Sequence, residues 1–337
     1  MNNAHSSETL DFTGQVALIT GAGRGLGREH ALLLAARGAK VVINDLGTTY
    51  DGSGIAKGQV ADEVVALIKA SGGEAVANYD SVEQGELIVA HVLKAYGRLD
   101  IVINNAGILT PEVWSELTLE SWQRTLNINL TGVFSVMKAA WPVFVEQQYG
   151  RCIMTASPAM YGAGVAAYAA SKAGVIGLSH SLQFEAKKLK LDIKCNVLIP
   201  QAGTRMTEDF ANSVNESRIA AGKKPAPSAP EAIMKRLSPD KVSAMAVWLA
   251  HHDCKAEASL FEAGGGYFAQ LNWARSVPLF ATEKEEVMGA PTPENIRDGL
   301  EILADFDRGD RPVSGDGTMG APDALQRVFG HLKSTNG

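Results

Sequence analysis

Tyr168-Ala169-Ala170-Ser171-Lys172 sets a phenol and an amine four residues apart. On a helix that spacing puts both side chains on one face. A tyrosine with its ordinary pKa of about 10 is a poor base at neutral pH. An ammonium beside it would stabilise the phenolate and bring proton transfer into the working range. Alone, such a pair is a common surface contact. Its weight here comes from the other motifs of the chain.

Thr20-Gly21-Ala22-Gly23-Arg24-Gly25-Leu26-Gly27 joins an apolar run to a helical pattern. Glycines there allow a tight turn and a close backbone approach to a pyrophosphate, which the helix N-terminus favours through its unspent N–H groups and its dipole. Gly21, Arg24, Gly25, Leu26 and Gly27 are the candidate pyrophosphate residues. Asp45 closes the next apolar run, Val41-Val42-Ile43-Asn44-Asp45. A carboxylate at that point accepts hydrogen bonds from the adenosine ribose and repels a 2′-phosphate, which favours NAD over NADP. Arg24 argues the other way, since a guanidinium could pair with a 2′-phosphate; Asp45 is the stronger signal, because an acid beside a phosphate is costly. Asp80, followed by Ser81, ends the third run and is the expected neighbour of the adenine, though an Asp there also serves as a helix cap.

Seven short apolar runs carry these motifs: Val16–Ile19, Val41–Ile43, Glu74–Ala77, Ile101–Ile103, Cys152–Met154, Lys194–Ile199 and Ser259–Phe261. Their continuous hydrophobicity suits strands buried on both faces. Helical patterns lie between them, as in Leu26–Arg37, Ala61–Ala70, Leu87–Tyr96 and Trp122–Gln147. The alternation predicts an α/β fold, a Rossmann-like doubly wound parallel sheet of about seven strands with helices on both faces. Residues 207–236 break the rhythm with a polar run and Lys223-Lys224-Pro225-Ala226-Pro227, and read as a long functional loop. Beyond Trp273 the chain turns Gly- and Pro-rich around one helical pattern, Glu294–Phe306. Residues 1–275 are therefore expected to form the nucleotide-binding domain and 276–337 a C-terminal helical and loop extension.

The 337 residues carry a net charge of -6, which gives no electrostatic footprint for nucleic acid or an anionic membrane. No apolar stretch reads as a membrane span. Cys152, Cys195 and Cys254 are few and widely spaced, as reduced structural thiols would be. No metal site is expected. Composition and a polar N-terminus suggest a cytoplasmic protein.

Further motifs complete a pattern. Asn104-Asn105-Ala106-Gly107 follows the fourth run, Asn129-Leu130-Thr131-Gly132 lies in the next helix, and Ser157 follows Arg151-Cys152-Ile153-Met154-Thr155-Ala156. With the glycine turn and Tyr-x-x-x-Lys, in this order, the chain resembles the short-chain dehydrogenase/reductase family over about residues 12–275. The resemblance implies a catalytic set of Ser157, Tyr168, Lys172 and Asn129. Tyr168 would exchange a proton with the substrate oxygen and Ser157 would orient that oxygen. Lys172 would lower the tyrosine pKa and hold the nicotinamide ribose, and Asn129 would position a water. Asn105, Ala106, Gly107 and Pro200 would line the cofactor. The family places its serine thirteen positions before the tyrosine, where this chain has Thr155; Ser157 stands eleven before. Ser157 falls at the strand end and is preferred, with a loop shortened by two residues, and Thr155 is the alternative hydroxyl.

Longer strings narrow the resemblance. Val42-Ile43-Asn44-Asp45-Leu46-Gly47, Ala75–Val82, Pro200-Gln201-Ala202-Gly203-Thr204-Arg205-Met206-Thr207 and Leu260–Gly266 are similar to the (3R)-hydroxyacyl-CoA dehydrogenase unit of peroxisomal multifunctional enzymes and its bacterial stand-alone relatives. That subgroup implies NAD-dependent oxidation of a 3-hydroxyacyl-CoA and a homodimer whose tail helps cover an active site. Residues 207–236 would then be a substrate lid, suited with the short 158–167 loop to a bulky acyl group such as a steroid side-chain thioester. Lys223 and Lys224 could meet CoA phosphates, yet a solvated charge pair is the better reading. The hydratase of the multifunctional enzymes would be a separate protein. The rival readings are a short-chain dehydrogenase/reductase acting on a free alcohol or ketone, such as a hydroxysteroid, and a non-catalytic dinucleotide-binding protein.

Overall fold

The computed structural model describes residues 9–306 apart from 53, 55–58, 163, 221, 226–234, 275, 278 and 280–291. The chain divides into two compact units, Met1–Gln270 and Leu271–Gly337.

The first unit is built on a sheet with β1 at Val16–Thr20, β2 at Lys40–Asn44, β3 at Glu74–Asn78, β4 at Ile101–Asn104, β5 at Tyr149–Thr155, β6 at Asp192–Pro200, β7 at Leu260–Gly264 and β8 at Tyr267–Leu271. Their spatial order is β3-β2-β1-β4-β5-β6-β7-β8. β1 through β7 pair in parallel, for example Leu18 with Val42 and Val102. Every residue of β1 is buried, because helices cover both faces.

The sequence shows seven strands and the sheet has eight. β8 reaches solvent at Tyr267 and Phe268, so it lacks the buried apolar run that marks the others. Gly265 and Gly266 both have positive φ (61° and 87°), the conformation of a two-residue hairpin, which makes β8 an antiparallel edge.

Three helices lie on one face: α1 (Gly25–Ala35), α2 (Gln59–Ala70) and α8 (Asp240–Ala250). Leu34, Val64, Ile68, Val242 and Leu249 pack there with Ile19, Ile43, Ile103 and Ile153 of the strands. The opposite face carries α3 (Gly85–Tyr96), α5 (Gly132–Gln147) and α6 (Ala166–Leu189), with α4 (Leu119–Leu126) leading into α5 through a π-helical turn, Asn127–Thr131. Leu119–Gln147 is one helical run, long and apolar enough by hydropathy to cross a membrane, which the sequence reading does not anticipate. Its buried side chains, such as Val136, Met137, Ala140 and Phe144, face the protein core.

The expected loop over 207–236 is helical in its first half: α7 spans Arg205–Ala220. Thr204 starts it, its Oγ1 accepting from the Thr207 N–H at 3.3 Å, so a polar composition is compatible with a capped, solvent-facing helix. Lys223 and Lys224 follow as exposed residues, and the Lys224 carbonyl accepts from Arg218 Nε at 2.9 Å. Residues 226–234 lie outside the described residues.

In the second unit, Glu294–Phe306 resolves into two short helices, α9 (Pro293–Asp298) and α10 (Leu300–Leu303), the first begun by a capping box between Thr292 and Asn295. The tail's expected role over an active site falls largely on residues 307–337, outside those described.

Candidate active site

The order β2-β1-β4-β5 reverses the direction of winding between β1 and β4, and a doubly wound sheet opens a crevice at the C-terminal strand ends there. The cleft at this place, about 310 Å³, runs from Arg24, Asp45 and Asp80 at one end to Ser157, Tyr168 and Lys172 at the other.

The glycine turn forms its floor. A Cβ on Gly21 would stand 2.8 Å from Ala106 Cα, and one on Gly27 only 2.4 Å from the Gly21 carbonyl oxygen. Any larger residue would push the turn away from β4 or α1 away from the turn. Arg24 is the N-cap of α1 but makes no side-chain cap, and the first turn has no acid. The helix end therefore keeps its attraction for an anion. Leu26 and Gly25 line the cleft beside it. Asn105 acts on the protein itself: its Nδ2 donates to the carbonyls of Thr20 and Gly21 at 3.0 Å each. The Thr20 hydroxyl accepts from the N–H groups of Asn105 and Ala106 at 3.1 Å. The Asn105-Ala106-Gly107 segment is thus pinned to the glycine turn.

Asp45 is gripped by two backbone amides, Gly23 N to Oδ2 at 2.8 Å and Gly47 N to Oδ1 at 2.7 Å. This fixes a carboxylate at that end of the cleft. Asp80 is held in turn, accepting from Asn78 Nδ2 at 2.7 Å, and Ser81 caps a short 3-10 turn through the Glu83 N–H. Both line the cleft.

At the other end α6 carries Tyr168 and Lys172 on one face, as the spacing requires. Lys172 is only 4% exposed, its Nζ donating to the Thr155 carbonyl at 2.8 Å and standing 5.6 Å from the Tyr168 ring centroid. Burial pulls its pKa down to about 8. Burial also pushes the Tyr168 phenol up, and the hydrogen bond with Ser157 draws it partway back.

Both candidate hydroxyl residues line the cleft, in different surroundings. Ser157 reaches the Tyr168 phenol and also accepts the Ala159 N–H at 3.2 Å. Thr155 offers its backbone to Lys172, while its Oγ1 is buried without a partner. Asn129 sits in the π-turn, fully buried. Its side chain grips Ile108 twice, accepting from the N–H and donating to the carbonyl at 2.8 Å each, and donates to Ser171 Oγ at 3.2 Å. A Cβ on Gly107 would lie 3.2 Å from Asn129 Oδ1 and 3.3 Å from Lys172 Nζ, so both side chains converge on this bare glycine. Pro200, ending β6, completes the wall.

Sequence reasoning missed Leu46–Tyr50, Ile108, Ile128, Thr204, Met206 and Thr207, which also line the cleft. Only the string Pro200–Thr207 carried a signal for the last three. Among described residues, His251, His252 and Asp253 could share a metal ion, but they lie at the end of α8, outside the cleft lining, and His251 Nδ1 already accepts the Asp253 N–H.

Parallel sheet, crevice and Ser–Tyr–Lys grouping together define a dinucleotide-dependent dehydrogenase class. The short chain dehydrogenase family model matches residues 15–215, and the chain belongs to that family, oxidoreductases acting on CH–OH donors. Mouse peroxisomal multifunctional enzyme type 2 is 41% identical over 323 residues, 95% of this chain and 40% of that protein. The full-length fly enzyme of the same name superposes with a TM-score of 0.73 at 29% identity, covering 96% of this chain and 50% of the other. Carveol dehydrogenase from Mycobacterium avium, solved with NAD, gives 0.65 at 26% identity over 75% of this chain and 97% of its own. The chain thus spans less than half of the mouse multifunctional relative.

These relatives overturn the cytoplasmic location read from composition. Five of them, 36–42% identical, are named as peroxisomal enzymes. Such addresses are short signals read by a receptor, so bulk composition does not report them.

Proposed function

We propose that this chain oxidises a (3R)-3-hydroxyacyl-CoA to the 3-oxoacyl-CoA with NAD as the hydride acceptor. The observation that carries the proposal is one continuous cleft with an amide-fixed Asp45 at one end and the Ser157–Tyr168–Lys172 group at the other. An uncapped helix end lies between them for the pyrophosphate, and the NAD-bound neighbour agrees with that ligand. The long sequence strings shared with multifunctional β-oxidation enzymes support the acyl-CoA class.

Ser157 would hydrogen-bond the substrate hydroxyl and hold it against the Tyr168 oxygen. Tyr168 would take the hydroxyl proton as the C3 hydride leaves, and Lys172, 4% exposed beneath the ring, would hold the cofactor ribose and pass charge toward solvent. The dinucleotide supplies the hydride acceptor and, when oxidised, a positive charge that favours the phenolate. Asn129 would act by fixing Ile108 and with it the Gly107 opening. α7 and the residues after it would form the substrate lid, admitting a bulky acyl group.

Steady-state kinetics with NAD and NADP against 3-hydroxyacyl-CoA esters, from short linear to steroid-derived, tests the proposal. The expected result is a strong preference for NAD that weakens in Asp45→Ala, and turnover that depends on the CoA thioester. Equal turnover of the free hydroxy compound would favour a free-alcohol dehydrogenase instead.

A further inference from the structure

The segment between β2 and α2 has no place in the motif that precedes it, yet it reaches across the cleft. Leu46, Gly47, Thr48, Thr49 and Tyr50 all line it. Beyond Asp45 the chain folds into a closed turn: the Gly52 N–H donates to the Thr49 carbonyl at 2.9 Å and the Gly54 N–H to Thr49 Oγ1 at 2.9 Å. This turn is fastened to the far side of the cofactor floor, where the Leu109 N–H donates to the Tyr50 carbonyl at 3.0 Å. Leu109 follows Ile108, whose own backbone is held by Asn129.

The fit is close. Gly52 has a φ of 74°, and a Cβ there would meet Ile108 Cγ2 at 3.0 Å and Arg124 Nη2 at 3.1 Å. Tyr50 itself is half-buried and lines the cleft.

We propose that residues 46–52 form a strap over the bound dinucleotide, fastened by the Tyr50 carbonyl to Leu109 and seated through Gly52 against Ile108. The inference rests on the dinucleotide reading of the cleft and adds to it the control of cofactor release. A ligand under a fastened strap leaves only when the Tyr50–Leu109 bond opens, so release is slow relative to hydride transfer.

Stopped-flow displacement of NADH from the full chain tests this, with hydride transfer followed separately in single-turnover reactions. Tyr50→Ala removes the ring that the strap brings to the cleft lining, and Gly52→Ala forces the strap off Ile108 without altering any residue that lines the cleft. Each variant is expected to release NADH about tenfold faster, the effect of losing roughly one hydrogen bond or packed contact. Tyr50→Phe, which keeps the ring, should restore most of the wild-type rate; a merely structural defect would instead lower thermal stability and hydride transfer together. Release rates within about twofold of wild type in both variants, with NADH still bound, would overturn the strap alone. Failure of the wild type to bind NADH would overturn the dinucleotide reading and the strap with it.

Discussion

Replacing Lys172 by methionine should abolish most activity and yet make the protein more stable. The ammonium is 4% exposed and its pKa falls from 10.5 to about 8 because burial disfavours the charged form. That difference of about 2.5 units corresponds to roughly 3 kcal/mol of folding free energy lost near neutral pH, at 1.36 kcal/mol per unit. Methionine fills a similar volume without the charge. It also gives up the Nζ–H bond to the Thr155 carbonyl, which offsets about 1 kcal/mol of the gain. The expected net stabilisation is about 2 kcal/mol at pH 7.

The pH dependence makes the prediction specific. The folded-state pKa lies below the unfolded one, so the unfolded chain binds the extra proton between about pH 8 and pH 10.5. Wild-type stability therefore rises with pH across that window, while the cost is fully present below it. The advantage of Lys172→Met should shrink as pH rises from 8 toward 10. Urea denaturation of both proteins, without added dinucleotide, reads it directly. An advantage that is absent at pH 7, or that does not change across the window, would refute the account of Lys172 as a buried cation kept for chemistry at the expense of stability.

Asn129→Ala should destabilise the fold by about 2–5 kcal/mol, since it strips the partner from both the N–H and the carbonyl of buried Ile108. A variant as stable as wild type in urea would show that those groups find other partners. His30, buried between α1 and α8 with Nδ1 2.8 Å from Ser243 Oγ, has its pKa driven down to about 3 by burial. Its folded pKa is below the unfolded 6.5, so its neutral form supports the fold at neutral pH and that support is lost as pH falls from 6.5 toward 3. His30→Leu combined with Ser243→Ala should flatten the acid limb of the stability curve, measured by thermal unfolding from about pH 7 to pH 4; an unchanged limb would count against it.

The sheet and the chemistry of its ends were legible in the sequence because they are written locally. Continuous apolar runs such as Val16–Ile19 can only be strands covered on both sides, and four-residue spacing puts Tyr168 and Lys172 on one helical face whatever surrounds them. The glycine turn, likewise, is a short-range matter of which backbone angles and approaches a residue permits. What depended on neighbours distant in the chain was not legible. β8 is a strand because Gly265 and Gly266 fold it onto an edge, not because its residues are apolar. Asn129 faces inward through a π-turn that its own sequence does not announce, and its grip on Ile108 needs the end of β4 to arrive beside it. Asn105 lines the cleft as expected, and only the fold shows that it also staples the glycine turn. Spacing alone left Ser157 and Thr155 as rivals; packing gives them different partners, one hydroxyl reaching the phenol and the other residue lending its carbonyl to Lys172. The pKa values followed the same rule, because desolvation is a property of the assembled interior: the sequence could pair Tyr168 with Lys172, but only the fold buries both groups, which pushes the phenol up and the ammonium down.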